Sequence, residues 1–169
     1  MVIGVISDTH DQIGTIKRVV QLLNQEGVSL VVHCGDWVSP FVLGHLKELK
    51  AQIRGVFGNN DGDRFRHLLI AQKSNMNLQM EERFMAFEHE GRRIAVFHGD
   101  YPELVDGLVK SGDYDAVFHG HTHKAVNQQV GRTLSLNPGC FLEETLPHIR
   151  GASFALYDPR TNQAEIRPL

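Results

Sequence analysis

The sequence predicts a mixed α/β domain in which two packed β-sheets are flanked by helices. Three observations predict it. Short β-branched apolar runs alternate with amphipathic stretches in the first part of the chain, the pattern of a parallel sheet with right-handed crossovers. The second part is richer in strands and reads as hairpins. With 169 residues, 41% of them hydrophobic, the chain suits one domain over 1–169 with a sizeable core.

The elements follow in chain order. "VIGVIS" (2–7) reads as a buried strand. "TIKRVVQLLNQEG" (15–27) places Ile16, Val19, Val20, Leu22 and Leu23 at helical spacing, and Gly27 stops it. "SLVVHCGD" (29–36) is a second strand. "PFVLGHLKELK" (40–50) opens with Pro40 at a first helical position and reads as a helix. "QIRGVFGNND" (52–61) is a third strand, 63–72 a short helix, and 73–82 a polar loop. "FMAFEHEGRRIAVFHG" (84–99) alternates around Glu90-Gly91 and reads as a hairpin. "PELVDGLVKSG" (102–112) reads as a helix and "YDAVFHGHTH" (114–123) as a strand. Residues 125–139 read as a hairpin turning at Gly131-Arg132, and 152–158 with 163–169 as a final strand pair.

Composition excludes several classes. Seventeen Lys and Arg against twenty Asp and Glu leave a net charge of −3, so duplex nucleic acid is not the expected partner. Two cysteines, Cys34 and Cys140, make no disulfide framework and read as buried structural thiols. The opening "MVIGVISDTH" meets an acid at Asp8 with no basic stretch before it, unlike a signal peptide. No apolar run approaches the ~18 residues of a membrane span. The expectation is a cytoplasmic protein that does not engage membranes. Ten histidines stand out, because imidazole is a common metal ligand.

Their placement carries the chemistry. Five strands end in "SDTH", "CGD", "GNND", "FHGD" and "GHTH", each with a Lewis base just past an apolar run. Strand ends in open α/β sheets converge on a ligand crevice. Asp8 and His10 lie two residues apart, as do His121 and His123, so along an extended chain each pair points to one side. Asp36, Asn59 and His98 complete a set of seven, too many for one catalytic zinc. Seven suit two cations about 3.5–4 Å apart, which can clamp an in-line displacement at phosphorus. Asp36 is the natural bridge, since a carboxylate offers two oxygens and the charge to hold two cations together. Glycines at 35, 58, 99 and 120 flank the ligands.

Other residues have plainer readings. Asp11, Asp61 and Asp100 stand beside ligands, either as partners that orient imidazoles or as solvated loop acids. His33 and His119 read as satisfied strand residues, His45 and His67 as helix-surface residues, and His89 and His148 as exposed positions, with His148 the one that could face the cleft. Arg64 and Arg66 either steer an anion or form one basic helix face. Asn137 either lines the site or caps a turn.

The set "DTH", "GD", "GNND", "HGD" and "GHTH" resembles the calcineurin-like metallophosphoesterase superfamily. The short length and "LNPGC" resemble its small YfcE-like phosphodiesterase branch, over about residues 1–158. The resemblance implies a four-layer α/β/β/α sandwich. It implies a first metal on Asp8, His10, Asp36 and His123 and a second on Asp36, Asn59, His98 and His121. The cations would be two divalent ions, Mn²⁺ first, with Ni²⁺, Fe, Co²⁺ or Zn²⁺ as alternatives. The expected activity is hydrolysis of small phosphodiesters by a metal-bridging hydroxide, with Asp36, Asn59 and His10 in catalysis and Asn59 and Asn60 on the substrate. Many relatives carry histidine where Asn60 stands; asparagine cannot donate a proton to a leaving alkoxide. Two alternatives remain open. One is a phosphomonoesterase or nucleotidase with the same site. The other is a non-catalytic scaffold like a retromer subunit. Homo-oligomer formation is a further expectation drawn from the resemblance.

Overall fold

The computed structural model describes residues 1–143, 145–146 and 149–169, with side chains described for 1–143 and 151–169. His148 lies outside the described residues. The chain alternates β1 (Ile3–Ile6), α1 (Ile13–Glu26), β2 (Leu30–His33), a 3₁₀ turn (Pro40–Val42) running into α2 (Leu43–Leu46), β3 (Gln52–Val56), α3 (Arg64–Lys73) and β4 (Leu78–Glu81). It continues with β5 (Phe84–His89), β6 (Arg92–Phe97), α4 (Pro102–Ser111), β7 (Ala116–Phe118), β8 (Val126–Val130), β9 (Thr133–Asn137) and the short pair β10 (Thr145–Leu146) and β11 (Ile149–Arg150). It closes with β12 (Ser153–Asp158) and β13 (Gln163–Pro168).

Two mixed sheets result. The first runs β13-β12-β1-β2-β3-β4, with β1 to β4 parallel and β12 antiparallel to β1. The second runs β5-β6-β7-β9-β8, with β6, β7 and β9 parallel. The period-2 pleat divides each strand between two cores. Ile3 and Val5 of β1, with Leu30 and Val32 of β2, face Ile94, Val96, Phe118 and Leu136 of the other sheet. Ile6 and Val31 point the other way, onto Ile16, Val19, Val20 and Leu23 of α1. On the far side, Val109 of α4 covers Ala95 and Val117. The layers are therefore helices, sheet, sheet, helix.

Three expectations are corrected. The helix expected over 40–50 shrinks to a 3₁₀ turn and four α-helical residues, capped by Ser39 Oγ accepting from Phe41 N–H. The loop expected over 73–82 contains β4, which pairs parallel with β3. Its Leu78 and Met80 pack inward while Gln79 and Glu81 face water, an edge-strand alternation that the polar half conceals. His67 is fully buried rather than on the helix surface. Its Nδ1 lies 3.0 Å from the Asp63 carbonyl, and its ring meets Phe57 edge-on at 5.5 Å.

Phe118 sits wholly between the sheets, its ring edge-on to Tyr157 at 5.1 Å. Phe118→Ala is expected to destabilise the fold by about 3–5 kcal/mol, because the space cannot collapse between two rigid sheets. Equilibrium urea unfolding measures it; a loss below about 1 kcal/mol would contradict the packing described.

Candidate metal centre

Every chemistry-bearing motif falls on a loop leaving the C-terminal end of a strand: β1 for Asp8 and His10, β2 for Asp36, β3 for Asn59 and Asn60, β6 for His98, and β7 for His121 and His123. The two sheets bring these loops to one edge.

Asp8 is fully buried, and its two oxygens are treated differently. Oδ2 accepts from Ser7 Oγ at 2.6 Å and from the His121 N–H at 3.0 Å. Oδ1 is buried with no hydrogen-bond partner, 3.3 Å from His123 Nε2 and 3.7 Å from His10 Nε2. Those two Nε2 atoms are themselves 3.0 Å apart. Asp36 is 1% exposed. Its Oδ1 accepts from the Asn60 N–H at 2.9 Å and its Oδ2 from Asn60 Nδ2 at 2.6 Å. Oδ1 lies 3.4 Å from His98 Nε2 and Oδ2 lies 3.7 Å from His10 Nε2, so the carboxylate stands between two groups of histidines. His98 Nδ1 donates to the Cys34 carbonyl at 2.9 Å, which turns Nε2 toward the centre. Asn59 Oδ1 is 3.0 Å from His98 Nε2 and 2.9 Å from His121 Nδ1.

All seven side chains named from the sequence are thus brought together. Two subsets have donor atoms within 4.8 Å of one another: Asp8, His10 and His123, and Asp8, Asp36 and His98. The centrality of Asp8, common to both, has no signature in the sequence. The donor set suits divalent cations. A buried carboxylate oxygen without a partner, facing imidazole nitrogens that face each other, needs protons or cations to balance it.

The backbone is strained to reach this arrangement. Asp8 (φ 51°), His10 (42°), Asp36 (60°), His121 (68°) and His123 (57°) all take the left-handed region, disfavoured for non-glycine residues. Neighbouring groups hold them there. Asp61, 2% exposed, accepts backbone N–H groups from Asp36 at 3.0 Å, Gly58 at 2.7 Å and Val38 at 2.7 Å, clamping the Asp36 loop to the Asn59 loop. Asp11 accepts from the Ser39 N–H at 2.9 Å, and Asp100 pairs with Arg83 at 2.6 Å. Among the described residues none of these three acids hydrogen-bonds an imidazole, so the orienting role considered for them is corrected: Asp61 and Asp11 position backbone. Asn137 Nδ2 donates to the Gly120 carbonyl at 2.8 Å and to Thr122 Oγ1 at 3.2 Å, while its Oδ1 accepts from the Gly139 N–H at 2.9 Å. It both caps a turn and holds the loop of His121 and His123. A side chain at Gly58 would overlap the Asp36 carboxylate, and one at Gly120 would overlap Ser7 and Asp8.

Charge follows geometry. Burial alone would raise the Asp8 carboxyl, but the His10 and His123 imidazoles beside it outweigh burial and hold the group well below the usual carboxylate range. For Asp36, burial is likewise outweighed, by His98 and Asn60. The carboxylate of Asp8 raises His10 against its burial. Burial opposes charge on His98, yet Asp36 and Asp8 raise it. His33 differs: burial pushes it down to about 3. Neutral, it accepts the Gly35 N–H at Nδ1, contacts Thr9 Oγ1 through Nε2 at 3.2 Å, and stacks on Trp37 at 3.6 Å. His119 Nε2 contacts Ser135 Oγ at 3.0 Å, as a satisfied residue. Cys34 and Cys140 are buried free thiols, and burial raises both.

Comparison with known proteins agrees with this geometry. The family model described as the calcineurin-like phosphoesterase superfamily domain matches residues 1–162. Phosphodiesterase MJ0936 of Methanocaldococcus jannaschii is 37% identical over 139 residues, covering 82% of this chain and 83% of the relative. Phosphodiesterase YfcE of Escherichia coli K12 is 26% identical, covering 79% and 75%. A solved structure described as a novel archaeal phosphodiesterase superposes with a TM-score of 0.91 at 31% identity, covering 100% of both chains. Among the described residues, no helix is long and apolar enough to cross a membrane.

Two outcomes follow. In the metal-free protein, the raised His10 and His98 stabilise the fold below their unfolded value near 6.5, and that contribution fades as pH climbs through the folded values. Metal must displace those protons, so Mn²⁺ affinity should rise with pH and binding near pH 6.5 should release protons. Calorimetry in two buffers of different ionisation enthalpy checks this; identical heats would contradict it. Asp61→Asn places an amide against three backbone donors and should lower Mn²⁺ affinity about 10- to 100-fold with the fold retained by circular dichroism. Unchanged affinity would show that the clamp is dispensable.

Proposed function

Because the chain belongs to the calcineurin-like phosphoesterase superfamily, we propose that it is a binuclear metal-dependent phosphodiesterase acting on small phosphodiesters. One observation carries this reading. The Asp36 carboxylate stands between two histidine groups, His10 with His123 on one side and His98 on the other, beside the unpartnered Oδ1 of Asp8. Asp8, His10, Asp36 and His123 would hold one cation, and Asp36, Asn59, His98 and His121 the other, with Mn²⁺ the first candidate. Such cations supply Lewis acidity toward phosphoryl oxygens and lower the pKa of water to about 7.

The chain's own residues do the rest. Asn59 is exposed at the mouth; with its oxygen turned to His98 and His121, its N–H₂ is left to donate to a phosphoryl oxygen as charge develops there. Asp36 joins the two halves of the site, and half-buried His10 walls one of them. Asn60, also assigned to the substrate from the sequence, spends both its backbone N–H and its amide on Asp36. It therefore secures the bridging carboxylate and offers no proton to a departing alkoxide. Arg64 is likewise spent on the Asp61 and Gly58 carbonyls, at 3.1 and 3.3 Å. A purely scaffolding role would require none of this strained, converging donor set. The monoesterase alternative shares the site and is separated from the diesterase by substrate.

Chelator-stripped protein given Mn²⁺ should bind two ions per chain and hydrolyse bis(p-nitrophenyl) phosphate faster than p-nitrophenyl phosphate. Failure to turn over either ester with Mn²⁺, Ni²⁺, Co²⁺, Fe²⁺ or Zn²⁺ would overturn the reading, and a reversed preference would favour the monoesterase. Asp36→Asn should abolish metal-dependent turnover. With no acid at Asn60, dialkyl esters should react at least about 100-fold more slowly than diaryl esters; a flat dependence on leaving group would place a proton donor elsewhere.

A further inference from the structure

We propose that Phe41 and Phe65, joined by Arg66, form a stacking platform at the mouth of the metal centre that receives an aromatic arm of the substrate, a nucleobase above all. This names the substrate class of the phosphodiesterase reading and rests on it. Phe41 is 67% and Phe65 76% exposed. Single exposed apolar residues are ordinary; placement, anchorage and the Arg66 guanidinium over the Phe41 ring set these two apart.

Each ring stands five residues after a residue of the centre, Phe41 after Asp36 and Phe65 after Asn60. Both segments are anchored to the loops bearing those residues. Asp61 holds the Val38 N–H at 2.7 Å and Asp11 holds the Ser39 N–H at 2.9 Å, fixing the chain just before Phe41. Arg64 Nε donates to the Asp61 carbonyl at 3.1 Å and Nη2 to the Gly58 carbonyl at 3.3 Å, fixing the first turn of α3 just before Phe65. The Arg66 guanidinium lies 5.3 Å from the Phe41 ring centroid, tying the two segments together. Among the described residues no carboxylate pairs with Arg66, so its charge is available to an anionic ligand.

The surroundings favour a planar, phosphorylated ligand over a lipid or a flat protein face. Exposed Asn59, Asn60, Asp63 and Arg66 share the segment that carries Phe65, with exposed Leu68 one helical turn beyond it, so polar groups interrupt the apolar surface. An aromatic face stacks on a base whatever its identity, and a guanidinium adds to it. Because Asp61 ties both segments to the Asp36 loop, an arm of a phosphodiester held at the centre would extend toward this lip.

Calorimetry on Mn²⁺-loaded protein with AMP and ribose 5-phosphate tests the platform, because the two ligands differ by the base alone. AMP should bind about 5- to 150-fold more tightly, the range of base–aromatic stacking. The double variant Phe41→Ser, Phe65→Ser should lose that advantage while ribose 5-phosphate affinity stays within about two-fold. Trp at both positions should keep the advantage. Equal affinities in the unmodified protein, or an advantage untouched by the double variant, would overturn the platform while ribose 5-phosphate binding and diaryl ester hydrolysis leave the phosphodiesterase reading standing. Absence of both ribose 5-phosphate binding and hydrolysis would remove that reading and the platform with it. Sedimentation of both proteins closes the remaining route. A dimer that the serine variant dissolves, with the base advantage unchanged, would make Phe41, Phe65 and the neighbouring Leu68 a contact between copies and overturn the proposal.

Discussion

Two carboxylates sealed from water against a ring of imidazoles are the constraint from which the rest of this molecule follows. Asp8 and Asp36 are 0% and 1% exposed. Burying an anion costs an amount comparable to a typical fold's whole margin unless it is matched by charge or hydrogen bonds. Ser7, the His121 amide and Asn60 meet part of that need. The unpartnered oxygen of Asp8 and the facing histidine nitrogens leave a remainder that cations are suited to meet. The site is therefore an electrostatic imbalance built into the join of two sheets, and it is tolerable because the sheets themselves are well packed.

That join also explains the supporting cast. Ligands from loops more than a hundred residues apart must meet within hydrogen-bond distance, as His10 and His123 do. Five of them accept left-handed backbone to do so. Asp61 and Asn137 hold those conformations by spending buried polar atoms on loop backbone, and Gly58 and Gly120 leave room where a side chain would collide with the carboxylates. The geometry of the centre thus depends on residues outside the seven candidate ligands. Asn60 belongs among them: its backbone N–H and its side-chain amide are both committed to Asp36 and fix that carboxylate in place.

The layered core of the fold was legible wherever one chain segment carried its own periodicity. β1 and α1 show it in Ile3, Val5, Ile16, Val19, Val20 and Leu23, all buried. It was illegible where burial came from a neighbour. β4 looks polar because half of an edge strand faces water, and His67 looks like a surface residue until Phe57 and the Asp63 carbonyl enclose it.

The candidate site divides the same way. Strand-end motifs with acids, amides and histidines are a local property, so the sequence alone determined which seven side chains could serve as ligands and that the domain would be mixed α/β. Tertiary structure decided that Asp8 lies at the centre of both subsets, that Asp61 clamps backbone rather than an imidazole, and that Asn60 is already bound. Each of those facts is a distance between atoms far apart along the chain, and such distances are set by how two sheets pack, which no local pattern of residues encodes.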